Sequence, residues 1–322
     1  MKLFIKSIII FILLIELLLQ SMFFFKIKSI TKPILFFNPY CDERYWKFDN
    51  QNQSLLSSKV TTENYLTYIN KDKKSYFEDL MNNKLKIENE NVFYGASFFD
   101  HKYFKINNLN NNNKYNFALN SYGIDQIYIS FIKTIKNISN SNIVLGILLE
   151  DIDRAFLNFR DYQKNYKLDS SNLQIIAVQS KEKHLSFNFY FYNFIKNNFL
   201  LYSNNFNPRN IECKKKEKIK LFENIILEFD NLSKKQNNNF LVVTFNLEDD
   251  FKKPSWRNYH FKKILNDYKI NNIDSLDILK NYLIKNNINP KDLYGNDRHF
   301  NEHTFGIINN EISYVLSKEQ YK

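Results

Sequence analysis

Residues 142–151 read NIVLGILLED, and this stretch decides the fold class. The run from Ile143 to Leu149 is apolar throughout, and it ends in two carboxylates, Glu150 and Asp151. A short, continuous apolar run bounded by polar residues is typical of a strand that is buried on both faces of a sheet. Residues 142–149 are therefore predicted to form an apolar strand with carboxylates at its end.

Apolar runs and helical stretches alternate on both sides of this strand. The other predicted strands are residues 91–96, 115–119, 173–178, 240–245 and 272–274. The predicted helices are residues 125–136, 256–268, 275–285 and 305–316. This alternation predicts an α/β fold, a three-layer sandwich in which helices cover both faces of a parallel sheet.

Chemically active side chains follow several predicted strands, where ligand sites form in parallel sheets. Ser97 ends the small-residue turn GAS, where a base could activate it as a nucleophile, although most such serines are helix N-caps. The turn after residues 115–119 directs backbone N–H groups at any negative charge above the sheet.

Asp297 and His299 are two residues apart, so the carboxylate can orient the imidazole. His303 lacks further metal ligands, and neither a metal nor another cofactor is expected.

In their order and spacing, four segments resemble the SGNH/GDSL hydrolase superfamily. They are FYGASFFD (93–100), YNFALNSYGIDQ (115–126), IVLGILLEDIDR (143–154) and NDRHFNEHTFGIINNEI (296–312). The last segment is similar to the branch that contains alginate O-acetyltransferase-like proteins, and the apolar N-terminal stretch with its internal Glu16 resembles membrane-tethered members of the superfamily. The resemblance covers residues 91–320 and implies a flavodoxin-like, three-layer fold for residues 91–322.

The resemblance implies a serine ester hydrolase or O-acyltransferase whose substrate is an acyl ester, with a cell-surface glycan among the candidates. Ser97 would attack the ester, His299 would act as base and then acid, and Asp297 would fix the imidazole. The N–H groups of Ser97 and Ser121 would form the oxyanion hole. Glu150 stands where the family has an amide donor to the oxyanion, and an ionised carboxylate would repel that charge. Two alternatives remain: an inactive SGNH-like binding domain, and an anchored α/β domain without this chemistry.

The N-terminus carries a candidate membrane anchor. Residues 7–25, SIIIFILLIELLLQSMFFF, contain one charged residue, Glu16. Nineteen helical residues span about 28 Å, close to the roughly 30 Å of a bilayer core. No small-residue cleavage site follows, which favours an uncleaved anchor over a signal peptide. Glu16 is costly in a membrane unless it is protonated or faces a partner helix. We expect a single-pass membrane protein, and the resemblance implies that its catalytic domain is extracytoplasmic.

Composition limits the other possibilities. The chain has 322 residues and a net charge of +11, but the six arginines are scattered, so no nucleic-acid partner is expected. Two cysteines, Cys41 and Cys213, exclude a disulfide scaffold and could either pair or stay free. We expect an anchor at residues 1–28, a linker and N-terminal extension at 29–90, and an α/β domain at 91–322. An insertion is expected at about 159–235.

Overall fold

The computed structural model describes residues 2–25, 27, 36–38, 41, 60–61, 69–106, 115–157, 166–177, 189–202 and 213–319. The helices are α1 (Lys2–Phe24), α2 (Lys71–Met81), α3 (Ile124–Thr134), α4 (Asp151–Ala155), α5 (Tyr190–Tyr202), α6 (Lys215–Lys235), α7 (Glu248–Lys252), α8 (Trp256–Asp267), α9 (Ser275–Asn286) and α10 (Glu302–Glu319). The strands are β1 (Val60–Thr61), β2 (Ile69–Asn70), β3 (Ile87–Glu88), β4 (Asn91–Gly95), β5 (Tyr115–Asn116), β6 (Ile138–Ser139), β7 (Asn142–Leu148), β8 (Tyr166–Leu168), β9 (Ile175–Ala177), β10 (Asn239–Phe245) and β11 (Asn271–Asp274).

The centre of the fold is a five-stranded sheet with the order β11-β10-β7-β4-β5. All its strand pairs are parallel, with β7 between β4 and β10. The apolar run of residues 143–149 therefore lies in the middle of the sheet, where both its faces are buried. The carboxyl ends of all five strands consequently meet at one edge.

Side chains alternate between the two faces of β7, as the period of two in a strand requires. Ile143, Leu145 and Ile147 join one core cluster with apolar residues of α2, α3, α6 and α8. Val144 and Leu148 join the opposite cluster, which contains residues of α9 and α10. The sheet thus lies between two helical layers, and the predicted α/β three-layer sandwich is confirmed.

Two predicted strands differ from the observed ones. In place of residues 115–119, strand β5 contains only Tyr115–Asn116, although Phe117 and Leu119 still donate backbone N–H groups to the carbonyls of Phe93 and Gly95. Within residues 173–178, Ile175–Ala177 form β9, which pairs antiparallel with β8 outside the central sheet. These few residues can pair locally, so an apolar run alone does not assign them to the main sheet.

The N-terminal helix α1 is long and apolar enough to be a membrane anchor or a signal sequence. Cys41 and Cys213 form a disulfide, with 6.1 Å between their Cα atoms. This bond joins the segment after α1 to the beginning of α6. Of the predicted linker 29–90, residues 36–38, 41, 60–61 and 69–90 are described, and the predicted domain boundaries stay a prediction.

Candidate active site

Ser97 lies two residues after β4, at the carboxyl edge of the sheet, and is buried. The turn that carries Ser97 packs closely on the sheet. A Cβ atom on Gly146, in the neighbouring β7, would come within 2.5 Å of the Phe99 ring, so only glycine lets this ring cover the strand. The residue after Ser97, Phe98, packs in the same core cluster against Phe245 and Phe300. The turn is thereby fixed between the sheet and the loop before α10.

The second segment lies beside this turn and contains Ser121 in a left-handed conformation, with φ at 69°. The side-chain amide of Asn116 donates to the carbonyl of Phe99, and the N–H of Asn120 donates to Asp100 Oδ2. A non-glycine residue pays roughly 1–2 kcal/mol for the left-handed region. Ser121 thus adopts the conformation that glycine ordinarily supplies in such a turn.

Glu150 and Asp151 lie at the end of β7, where Glu150 precedes the first residue of α4. Asp151 is buried, accepts the N–H of Leu148 at 3.0 Å and pairs with Arg154 Nη1 at 2.9 Å. The same Nη1 donates to the carbonyl of Tyr122, which ties α4 to the second segment. Arg154 therefore has Asp151 as an ion-pair partner. Glu150, the residue before Asp151, is half-buried.

The fourth segment brings Asp297 and His299 to the same edge. Asp297 Oδ1 accepts the backbone N–H of His299 at 3.2 Å, and Asp297 Oδ2 lies 3.6 Å from His299 Nδ1. Among the described residues, no group hydrogen-bonds to His299 Nδ1, which is buried. The His299 ring lies 5.0 Å from the ring of Phe98, the residue after Ser97. The structure thus brings the carboxylate and the imidazole together beside the turn that carries the serine.

His101 is the residue that sequence reasoning missed. Its Nε2 lies 3.0 Å from Asp297 Oδ2, and its Nδ1 accepts the N–H of Tyr103 at 3.4 Å. An ionised carboxylate can only accept, so the Nε2 atom of His101 donates in this contact. The ring lies between those of His299 and Phe305, with both centroids 5.0 Å away. Only its position four residues after Ser97 could have suggested a role.

The environments of Asp297 and His299 shift their pKa values in a direction suited to base catalysis. Partial burial acts to raise the pKa of Asp297, but hydrogen bonds from His101 and from the His299 backbone hold it below its usual range. Burial lowers the pKa of His299 and outweighs the opposite effect of Asp297. His299 is therefore neutral at pH 7, and a neutral imidazole can accept a proton.

The same three side chains could hold a divalent cation. One ligand atom from each of His101, Asp297 and His299 lies within 4.8 Å of the others. Two imidazole nitrogens and a carboxylate oxygen are a common donor set for Zn²⁺. His303 is not part of this group, because its Nε2 is hydrogen-bonded to the hydroxyl of Tyr282 at 2.8 Å.

The residues that sequence reasoning singled out thus differ in how closely the structure connects them. Asp297 and His299 are in contact, and Ser97 and Ser121 lie on neighbouring turns at the same edge of the sheet. Glu150 lies at the end of the central strand, two residues beyond Leu148. Their catalytic roles stay predictions.

Comparison with known proteins adds a likeness to a solved structure. No protein-family model matches the sequence, and no curated protein matches it. Among solved structures, the chain is similar to the crystal structure of protein YxiM from Bacillus subtilis, with a TM-score of 0.40 and 10% sequence identity. The match covers 71% of this chain and 57% of that chain. A likeness of this size carries no conclusion about chemistry, so the function has to be argued from the site.

Proposed function

We propose that the protein is a membrane-anchored serine ester hydrolase or O-acyltransferase of the SGNH type. The observation that carries this proposal is the Asp297–His299 pair beside the turn that contains Ser97, with Nδ1 of the imidazole 3.6 Å from the carboxylate. A buried, neutral imidazole next to a carboxylate is the arrangement that activates a serine hydroxyl.

In the proposed reaction, the hydroxyl oxygen of Ser97 attacks the ester carbonyl while His299 takes the hydroxyl proton. The carbonyl π electrons move to the oxygen, and the N–H groups of Ser97 and Ser121 stabilise the resulting oxyanion. The C–O bond to the leaving alcohol then breaks, and His299 returns the proton to that alcohol. Water or a sugar hydroxyl completes the cycle by the same steps in reverse, giving hydrolysis or acyl transfer.

His101 acts in this proposal as a positioning residue. It donates Nε2–H to Asp297 Oδ2, while the other carboxylate oxygen accepts the backbone N–H of His299. The carboxylate is otherwise more than half exposed, and these two hydrogen bonds restrict its rotation. A fixed carboxylate can hold the imidazole in one tautomer and stabilise the imidazolium that forms during attack.

The location of the catalytic domain is likewise a proposal. Disulfides persist in oxidising compartments and are rare in the cytosol. The Cys41–Cys213 bond therefore supports an extracytoplasmic domain that follows an uncleaved anchor. An ester on the cell surface, such as an acylated glycan, would be accessible to it there.

One observation favours a second candidate function, an inactive domain that binds an ester-bearing ligand. Glu150 places a carboxylate at the end of β7, where the proposed hole requires a donor. Loss of one oxyanion donor lowers rates by about 10²–10³-fold. An inactive domain would keep the fold and the Asp297–His299 contact without turning over esters.

A fluorophosphonate probe separates the two functions, because it labels only an activated serine. The full chain in detergent is expected to be labelled, and both Ser97→Ala and His299→Ala should lose the label. Ser317→Ala, which removes an exposed hydroxyl in α10, is the matched control and should be labelled like the wild type. Equal labelling of wild type and Ser97→Ala would refute the hydrolase proposal, and absence of label on a folded wild type would favour the binding domain.

A further inference from the structure

Helix α5 is attached to the N-terminal helix by a carboxylate. Glu16 of α1 is buried, and its Oε1 and Oε2 atoms accept the backbone N–H groups of Tyr190 and Phe191 at 3.0 and 2.8 Å. The side-chain amide of Gln20 donates to Glu16 Oε1 at 2.7 Å. The first N–H groups of a helix have no partner within the helix, so Glu16 supplies two of them with acceptors and lies at the positive end of the α5 dipole.

The packing of α1 on α5 follows one stripe of the anchor. The covered positions recur every three or four residues along α1: Ile12, Ile15, Glu16, Leu19, Gln20 and Phe23. The ring of Phe23 stacks on Tyr190 at 4.2 Å, and Phe36 and Phe37 close the same small cluster. The rest of α1 is mostly exposed and apolar.

Helix α5 itself exposes apolar side chains next to this anchor. Its sequence is YFYNFIKNNFLLY, in which Asn193, Lys196 and Asn197 recur with helical spacing and the other positions are mostly aromatic or aliphatic. The side chains of Tyr192 and Ile195 are 65% and 51% exposed, and those of Phe189 and Phe194 are also exposed. Exposed apolar side chains that continue from an anchor indicate a surface that meets lipid.

We propose that α5 is a second membrane element, which enters the bilayer that α1 spans, lies against α1 without crossing that bilayer and buries its apolar side among the acyl chains. This inference rests on the membrane anchoring in the proposed function. With 13 residues, α5 is about 20 Å long, too short to cross a core of roughly 30 Å. The chain therefore enters and leaves the membrane on one side, in agreement with β9 and the Cys41–Cys213 bond flanking it within the same domain.

The contact with α5 also accounts for the position of Glu16 within the anchor. A helix that begins inside a membrane exposes N–H groups that water cannot reach, and each unsatisfied group is costly there. A carboxylate in lipid is equally costly without partners. The contact between Glu16 and the first two residues of α5 lowers both costs.

Lipid-quenched fluorescence tests the proposal on the full chain in phosphatidylcholine–phosphatidylglycerol vesicles. A cysteine introduced by Ile195→Cys is labelled with an environment-sensitive fluorophore under non-reducing conditions, where the native cysteines are in their disulfide. Leu18→Cys in α1 is the membrane reference, and Ile284→Cys, at a side chain 82% exposed on α9, is the solvent reference. Nitroxide lipids are expected to quench the label at 195 to within twofold of the label at 18, and at least fivefold more than the label at 284.

The outcomes separate this inference from the proposals on which it rests. Quenching at 195 as weak as at 284, with strong quenching at 18, would overturn the inference and leave the anchor intact. A buried label at 195 without lipid quenching, as when a second protein covers the face, would overturn it too. Weak quenching at 18 would refute the anchor and this inference together, while ester turnover in the same vesicles reports the catalytic proposal independently.

Variants of Glu16 test its role as the acceptor for the first N–H groups of α5. Glu16→Leu makes the anchor more apolar, so it keeps α1 in the membrane while it leaves the first N–H groups of α5 without acceptors. Quenching at 195 is expected to fall at least twofold in Glu16→Leu and less in Glu16→Gln, which retains one acceptor oxygen, while quenching at 18 stays constant. Unchanged quenching at 195 in Glu16→Leu would contradict the role of the carboxylate.

Discussion

Asp153 supports the carboxyl edge of the sheet through a buried charge cluster, and its removal should strongly destabilise the protein. Asp153 Oδ1 lies 2.6 Å from Lys218 Nζ in α6, and Asp153 Oδ2 lies 2.6 Å from Arg257 Nη2 in α8. All three side chains are almost completely buried. Substituting Asp153→Asn would leave two buried cations with no carboxylate between them.

The expected loss in the free energy of unfolding follows from this geometry. Removing one partner of a buried ion pair costs about 3–5 kcal/mol, because the other charge remains out of water. Because one carboxylate here pairs with two cations, we expect the free energy of unfolding to fall by an amount near the upper end of this range, about 5 kcal/mol. Asp230→Asn in α6 is the matched control, since Asp230 pairs with an exposed lysine, Lys234. Such surface pairs contribute about 0–1 kcal/mol.

Urea unfolding of the full chain in detergent, followed by circular dichroism, measures both variants. Asp153→Asn/Lys218→Met removes one cation together with the carboxylate and should regain part of the loss, because a neutral, well-packed pair avoids the desolvation cost. A loss in Asp153→Asn no larger than that in Asp230→Asn would refute the claim that the cluster carries charge in the folded state.

Three further predictions concern the site. Glu150→Asn should raise ester turnover about 10–1000-fold by restoring an amide donor; equal rates from pH 5 to 8 would show that Glu150 does not face the oxyanion. The ratio kcat/KM should rise with pH through a midpoint below about 6.5, the ordinary pKa of histidine, because burial lowers the pKa of His299 and only its neutral form accepts a proton; a midpoint above 7 would contradict this environment. Micromolar Zn²⁺ should inhibit turnover by binding His101, Asp297 and His299, and a chelator should reverse it; undiminished inhibition in His101→Ala would place the metal elsewhere.

Much of the site's location was accessible from the sequence, because its four segments follow predicted strands or precede a predicted helix. Asp297 and His299 are neighbours in sequence, so their contact needs only a local turn, which Arg298 supplies with φ at 65°. His101 could not be found in this way, since 196 residues separate it from Asp297 and only packing of the Ser97 turn against the last loop joins them.

The sequence by itself determined the α/β class, the apolar central strand and the apolar N-terminal helix, because each depends on local hydrophobic periodicity. It left open whether Cys41 and Cys213 pair and what Glu16 contacts. Both contacts join residues more than 170 positions apart in the chain. Such contacts depend on how elements pack on one another, and no local pattern of residue types encodes them, so only the tertiary structure decided them.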